Sequence, residues 1–169
     1  MPGSPTDDEG AALVTVPASD YLWFVDLALR QMTTIVEELG DELVNRRPPF
    51  RDTNSAFVIL THCLGVMEYW GGATVAERPI QRDRAAEFTA SGDVAGLLRR
   101  SEQGRRRLRE DLVGLHAEAP PVNVRRDPEE AVPYTETKGS VLLHILEELY
   151  QHLGQMELTR DALVTSRRR

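Results

Sequence analysis

The fold is decided by residues 53 to 70, which read TNSAFVILTHCLGVMEYW. The Thr-Asn start can cap the N-terminus of a helix, and apolar side chains then cover most of the helix circumference. A helix of this kind is buried on several sides, and Pro79 limits its extent to about Glu77. The stretch therefore predicts the central helix of a bundle, with one histidine, His62, among its apolar side chains.

Three further segments carry apolar residues at helical spacing and are predicted as helices. They run from about Asp20 to Val44 after a capping Ser19, from about Asp93 to His116, and from Thr137–Ser140 to about Val164. Alternation typical of strands is not found, so the sequence predicts an all-α four-helix bundle. The long connections at 78–91 and 117–138 can serve as crossover loops.

The length and composition fit one compact domain. The chain has 169 residues, of which 41% are hydrophobic. We expect a flexible N-terminal arm over residues 1–17, a single helical bundle over 18–165 and a basic tail over 166–169.

Charge and cysteine content exclude several classes of function. The formal net charge of −7 argues against nucleic-acid partners and anionic membrane surfaces. The single cysteine, Cys63, excludes an internal disulfide, favours a reducing compartment, and is expected as a buried apolar residue rather than a nucleophile. The N-terminus has no secretory pattern, and no stretch approaches about 18 uninterrupted apolar residues. These features predict a cytoplasmic protein.

The last helix carries polar groups beside its apolar face, in HILEELYQH at residues 144–152. A helix advances about 100° per residue, so Glu148 and His152 lie about 40° and about 80° from His144, at the border of the apolar face. Side chains four residues apart can bind one cation together. His62 of the central helix offers a third ligand, which gives a catalytic type of site with three protein ligands and one open position. This donor set suits zinc, and nickel or iron less clearly.

Simpler interpretations stay open for each of these residues. His62 can be a core histidine bonded to a neighbouring group. Glu148 and His152 can form an exposed pair within one helix. His144 and Gln155 are expected as partners of the ligands in the second coordination sphere, although His144 can also be solvated.

Two arginines follow the central helix, where a long loop can cover a pocket. Arg82 and Arg84 are predicted to bind an anionic group of a substrate, because a guanidinium can hold a carboxylate with two hydrogen bonds. An ion pair with a neighbouring acid is the alternative. No catalytic side chain is predicted, since the chemistry is assigned to a bound thiolate or water.

Two segments, THCLGVMEYW and HILEELYQHLGQMELTRD, resemble the DinB-like superfamily, and the resemblance covers about residues 20 to 164. They look closest to an actinobacterial branch of uncharacterised proteins. The superfamily includes mycothiol-dependent maleylpyruvate isomerase and the bacillithiol transferases. Its metal ligands imply the same role here for His62, Glu148 and His152. The common pattern H-x-x-x-H-x-x-Q has Glu148 in its first position here, as the isomerase does, and we expect no counterpart of the isomerase's additional C-terminal domain.

The resemblance implies an enzyme that depends on a divalent metal, most simply a thiol S-transferase or isomerase acting on a small electrophile. A low-molecular-weight thiol of the mycothiol type would be the co-substrate. The alternative is a non-catalytic helical module that binds a ligand or forms a homodimer, with a vestigial or structural metal. An open coordination position that faces a pocket would favour the enzyme.

Overall fold

The computed structural model describes residues 15–124 and 136–167, and all regular structure within them is helical. The elements are α1 (Ala18–Leu43), α2 (Ala56–Val66) with a π-helical continuation (Met67–Val75), α3 (Arg84–Glu87), α4 (Val94–Asp111) and α5 (Lys138–Arg167). The four long helices confirm the all-α prediction, and the short α3 is an addition that the sequence did not predict. Residues 1–14 of the expected arm, residues 125–135 of the second long loop and the last two residues of the tail lie outside the described ranges.

Helix α2 is the central helix, as predicted. Every residue of α2 except Gly65 is buried, and α2 contacts α1, α3, α4 and α5. Its N-terminal cap is Ser55 rather than Thr53 or Asn54, because the Ser55 hydroxyl accepts a hydrogen bond from the backbone N–H of Val58 at 3.2 Å. The Thr53 hydroxyl donates instead to carbonyl groups of the preceding loop. Burial of Cys63 raises the pKa of its thiol, which agrees with the expectation of an unreactive core residue.

The continuation of α2 is wider than an α-helix. Its last turn closes with a hydrogen bond of 3.0 Å from Ala76 N–H to Gly71 O, a spacing of five residues. Gly71 also allows α4 to approach, because a β-carbon there would lie only 2.7 Å from Leu108 Cδ1. The helical segment ends at Val75, close to the predicted end at Glu77, but its π-helical form was not predicted.

Helix α1 begins at Ala18, so the prediction that Ser19 caps it is wrong. Pro17 occupies the cap position without a side-chain hydrogen bond, and the Ser19 hydroxyl donates to the neighbouring Asp20 carboxylate at 3.3 Å. At the other end, Gly40 has φ 60° and ψ 180°, which interrupts the helical backbone before its last turn. Glycine is required for this conformation because a β-carbon would be strained there.

Helices α4 and α5 complete the bundle. Asp93 caps α4 through the backbone N–H of Gly96 at 2.6 Å, and α4 ends at Asp111, five residues before the predicted end at His116. Helix α5 packs against α1, α2 and the π-helix and extends to Arg167. None of the described helices is both long enough and apolar enough to cross a membrane.

Candidate metal centre

The structure brings His62, Glu148 and His152 together, although they come from two helices. Glu148 Oε2 lies 3.4 Å from His62 Nε2 and 3.3 Å from His152 Nε2. The three donor atoms all lie within 4.8 Å of one another. Donors bound at about 2.0–2.1 Å to one tetrahedral ion would lie about 3.3 Å apart, so the two distances from Glu148 fit a shared cation.

The three side chains differ in burial. The His62 side chain is 7% exposed, whereas Glu148 and His152 are 21% and 22% exposed. His62 therefore forms the buried base of the site, and the two ligands on α5 form its accessible side.

Charge interactions favour an ionised Glu148. Hydrogen bonds from His152 and then His62 hold the pKa of the Glu148 carboxyl well below its usual range, against the opposing effect of burial. The hydrogen bond to Glu148 raises the pKa of His152, again against the effect of burial. A cation that binds here would displace the proton that His152 otherwise holds.

The predicted second-sphere residue Gln155 contacts a ligand directly. Gln155 Oε1 lies 2.9 Å from His152 Nδ1, so the imidazole N–H donates to the amide oxygen. This hydrogen bond leaves His152 Nε2 facing Glu148, which is the orientation that a ligand needs.

His144 also adjoins the site. Its Nδ1 lies 3.0 Å from Glu147 Oε2, its Nε2 lies 4.0 Å from Glu148 Oε1, and its ring packs edge-on against Trp70. His144, Glu147 and Glu148 form a second group of donor atoms within 4.8 Å of one another. We favour the first group as the metal site because its ligands come from two packed helices and include the buried His62, whereas Glu147 is exposed.

Sequence reasoning missed Glu87, a buried carboxylate at the end of α3. Glu87 Oε2 lies 2.8 Å from His62 Nδ1, on the side of the ring that faces away from Glu148 and His152. The signal that could have found it is Gly65, one turn after His62 in an otherwise apolar helix, since such a glycine often marks a close approach. A β-carbon at Gly65 would lie 2.2 Å from Glu87 Oε1.

The two predicted substrate-binding arginines have protein partners. Arg82 donates to Glu87 Oε1 at 2.6 Å and to Glu87 Oε2 at 2.9 Å, which is the ion-pair arrangement that the sequence left open as an alternative. The Arg84 guanidinium lies over the Phe88 ring, 5.1 Å from its centre. Substrate binding by either arginine stays a prediction.

A cavity of about 390 Å³ adjoins this network. Arg82, Glu87 and Tyr69 line it together with residues of α2 and α4, and none of the three candidate metal ligands is among its lining residues. The cavity thus touches the site through Glu87 and not through the metal ligands themselves.

Comparison with known proteins identifies the family of the chain. The family model of the DinB superfamily matches residues 25–156, which is more than half of the chain and includes His62, Glu148 and His152. Neither the curated proteins nor the solved structures contain a match to the chain. The extent of the family match, together with the all-helical bundle and the histidine-bearing α2 and α5, shows that the chain belongs to the DinB superfamily.

Proposed function

We propose that the chain is an enzyme that depends on a divalent metal and acts on a small electrophile as a thiol S-transferase or isomerase. His62, Glu148 and His152 would hold the metal. The observation that carries this proposal is the position of Glu148 Oε2, at 3.4 Å from His62 Nε2 and 3.3 Å from His152 Nε2.

The donor set fits a catalytic cation better than a structural one. Catalytic zinc sites have three protein ligands and one open position, whereas structural sites have four. Among the described residues, the group contains three donors, two imidazoles and one carboxylate. This set suits zinc, with nickel or iron as less favoured alternatives.

The metal ligands and the two arginines would have different roles in this reaction. A bound divalent cation would lower the pKa of a thiol and so supply a thiolate at neutral pH. His62 anchors the site in the core, while the partly exposed Glu148 and His152 leave access for the thiol and the electrophile. The thiol would be a low-molecular-weight compound of the mycothiol type, and Arg84 or Arg82 would orient an anionic group of the electrophile. A reduced cytoplasm, in which such thiols persist, is the compartment that we propose.

A transferase assay tests this proposal. Zinc-loaded protein is mixed with a low-molecular-weight thiol and a chromogenic aryl halide, and thioether formation is followed. We expect His152→Ala to lower the rate at least about 100-fold, because one ligand and its charge-assisted hydrogen bond are lost. His116→Ala is the matched control, since this histidine is exposed and lies outside the site. Equal rates for the wild type and His152→Ala would contradict the proposal.

A non-catalytic module that pairs with a second copy is the second candidate. It is favoured by two neighbouring aromatic residues of α1, Trp23 and Phe24, which are 54% and 47% exposed and pack edge to face. Tyr150 of α5 joins them through a hydrogen bond of 3.1 Å to the Phe24 carbonyl. Exposed aromatic residues are enriched at interfaces. Sedimentation equilibrium of the wild type and Trp23→Ser tests this candidate, which requires a dimer that the substitution weakens.

A further inference from the structure

We propose that Glu87 is a positioning residue that fixes the ring of His62 for metal binding, and that Arg82 holds Glu87 in this role. This inference rests on the proposed function of His62 as a ligand. It assigns a role to the buried ion pair of Arg82 and Glu87, whose contact with His62 the sequence did not reveal.

The two ring nitrogens of His62 face different carboxylates. Nδ1 lies 2.8 Å from Glu87 Oε2, and Nε2 lies 3.4 Å from Glu148 Oε2. A neutral imidazole has one N–H and one lone pair, and an ionised carboxylate can only accept. With the shorter contact at Glu87, an N–H belongs on Nδ1, which leaves Nε2, the atom that faces Glu148 and His152, as the one that would bind the metal. A carboxylate that accepts from the far nitrogen is the usual device for orienting a histidine ligand.

The buried carboxylate of Glu87 is paired with Arg82. Its side chain is only 9% exposed, and a buried carboxylate is very unfavourable without a partner. Arg82, at 14% exposed, supplies that partner through two hydrogen bonds of 2.6 Å and 2.9 Å. Arg82 Nη2 also lies 3.4 Å from His62 Nδ1, but it donates to Glu87 Oε2. The N–H groups of Arg82 Nη2 and His62 Nδ1 therefore both donate to Glu87 Oε2.

Glu87 occupies the space beside α2 that a side chain at residue 65 would fill. Glu87 can reach His62 only because residue 65 has no side chain, since a β-carbon there would lie 2.2 Å from Glu87 Oε1 and 2.7 Å from Glu87 Cδ. Gly65 lies three residues after His62 on the same side of α2. The glycine, the carboxylate and the arginine therefore act together on one face of the His62 ring.

Zinc affinity, measured by competition with a chromogenic chelator, tests the inference. We expect Glu87→Gln and Gly65→Ala each to weaken zinc binding by about 10-fold to 100-fold. Asp111→Asn is the matched control for Glu87, because Asp111 is equally buried and accepts two hydrogen bonds from Arg78 but does not touch the site. Gly154→Ala is the matched control for Gly65, since no atom lies within 4 Å of its β-carbon position. Both controls should bind zinc as the wild type does.

Nitrogen-15 NMR of the metal-free wild-type protein shows which nitrogen of His62 carries a proton. An ion pair of Arg82 and Glu87 with a purely structural role would not determine this position. A proton on His62 Nδ1 supports the inference, and an Nδ1 without a proton overturns it, even if Glu87→Gln fails to fold. If the wild type binds zinc tightly and Glu87→Gln and Gly65→Ala bind it equally well, the inference is overturned, while the proposed function stands. A wild-type protein that binds no zinc overturns the proposed function itself.

Discussion

At the residue scale, the site depends on one carboxylate that serves two imidazoles from different helices. Glu148 Oε2 is within 3.4 Å of both His62 and His152. Hydrogen bonds from His152 and His62 to Glu148 hold this geometry and lower the pKa of Glu148, and the hydrogen bond to Glu148 raises the pKa of His152. The hydrogen bonds that hold the three side chains together therefore compete with metal binding.

This competition predicts a pH dependence of zinc affinity. Because the pKa of His152 is raised, His152 keeps its proton to a higher pH than an ordinary histidine, and zinc must displace that proton. We expect affinity to increase between about pH 6 and about pH 8, with release of protons on binding. Calorimetry in buffers of different ionisation enthalpy measures both quantities, and His116→Ala should behave like the wild type. Affinity that stays constant over this range would contradict the prediction.

Most of the candidate site could be predicted from the sequence, for reasons that apply to particular residues. The spacing of Glu148 and His152 fixes their relative position on any helix, and the apolar surroundings of His62 indicate that it faces the core. Glu87 could not be predicted in the same way. It lies on a four-residue helix in a long connection, and only tertiary packing brings it to His62.

At the element scale, helix ends and irregular turns show where sequence reasoning fails. The number and approximate positions of the long helices follow from apolar periodicity, whereas α4 ends five residues before its predicted end. The cap of α1 was misassigned because Ser19 has a favoured cap side chain, yet Pro17 holds the cap position. The π-helix after Val66 has the same apolar pattern as an α-helix, so periodicity could not distinguish the two.

Gly40 gives a test of backbone strain in α1. Its φ of 60° with ψ of 180° is a conformation that is essentially restricted to glycine. No atom lies within 4 Å of its β-carbon position, so the cost of Gly40→Ala is conformational, about 1–3 kcal/mol in the free energy of unfolding.

Urea unfolding followed by circular dichroism measures this cost. Gly154→Ala is the matched control, because Gly154 lies inside α5 with equal space around it. There the substitution should raise the free energy of unfolding by up to about 1 kcal/mol, since alanine favours a helix interior over glycine. Equal effects of the two substitutions would contradict the assignment of strain to Gly40.

At the scale of the whole molecule, α2 links the fold to the site. It contacts every other helix of the described bundle, and its buried surface carries both core residues and His62. The ligands on α5 keep their position because α5 packs against α1, α2 and the π-helix. Core packing and the geometry of the candidate metal ligands are therefore coupled through α2.

Truncation of a core residue tests the central position of α2 in the fold. Leu60 is fully buried, so Leu60→Ala should lower the free energy of unfolding by about 2–5 kcal/mol through lost burial and a cavity. Leu158 of α5 is 74% exposed, and Leu158→Ala should change the free energy of unfolding by less than about 0.5 kcal/mol. Thermal or urea unfolding measures both, and similar effects of the two substitutions would contradict the central position of α2.

The most direct test of the metal site is the zinc content of the wild-type protein and of His62→Ala, determined by elemental analysis after equal loading and desalting. Three ligands from two helices predict about one zinc ion per wild-type chain and almost none per His62→Ala chain, with both proteins folded by circular dichroism. Equal zinc in the two proteins would place the metal on α5 alone, at His144, Glu147 and Glu148, and a wild-type protein that retains no zinc would contradict the site altogether.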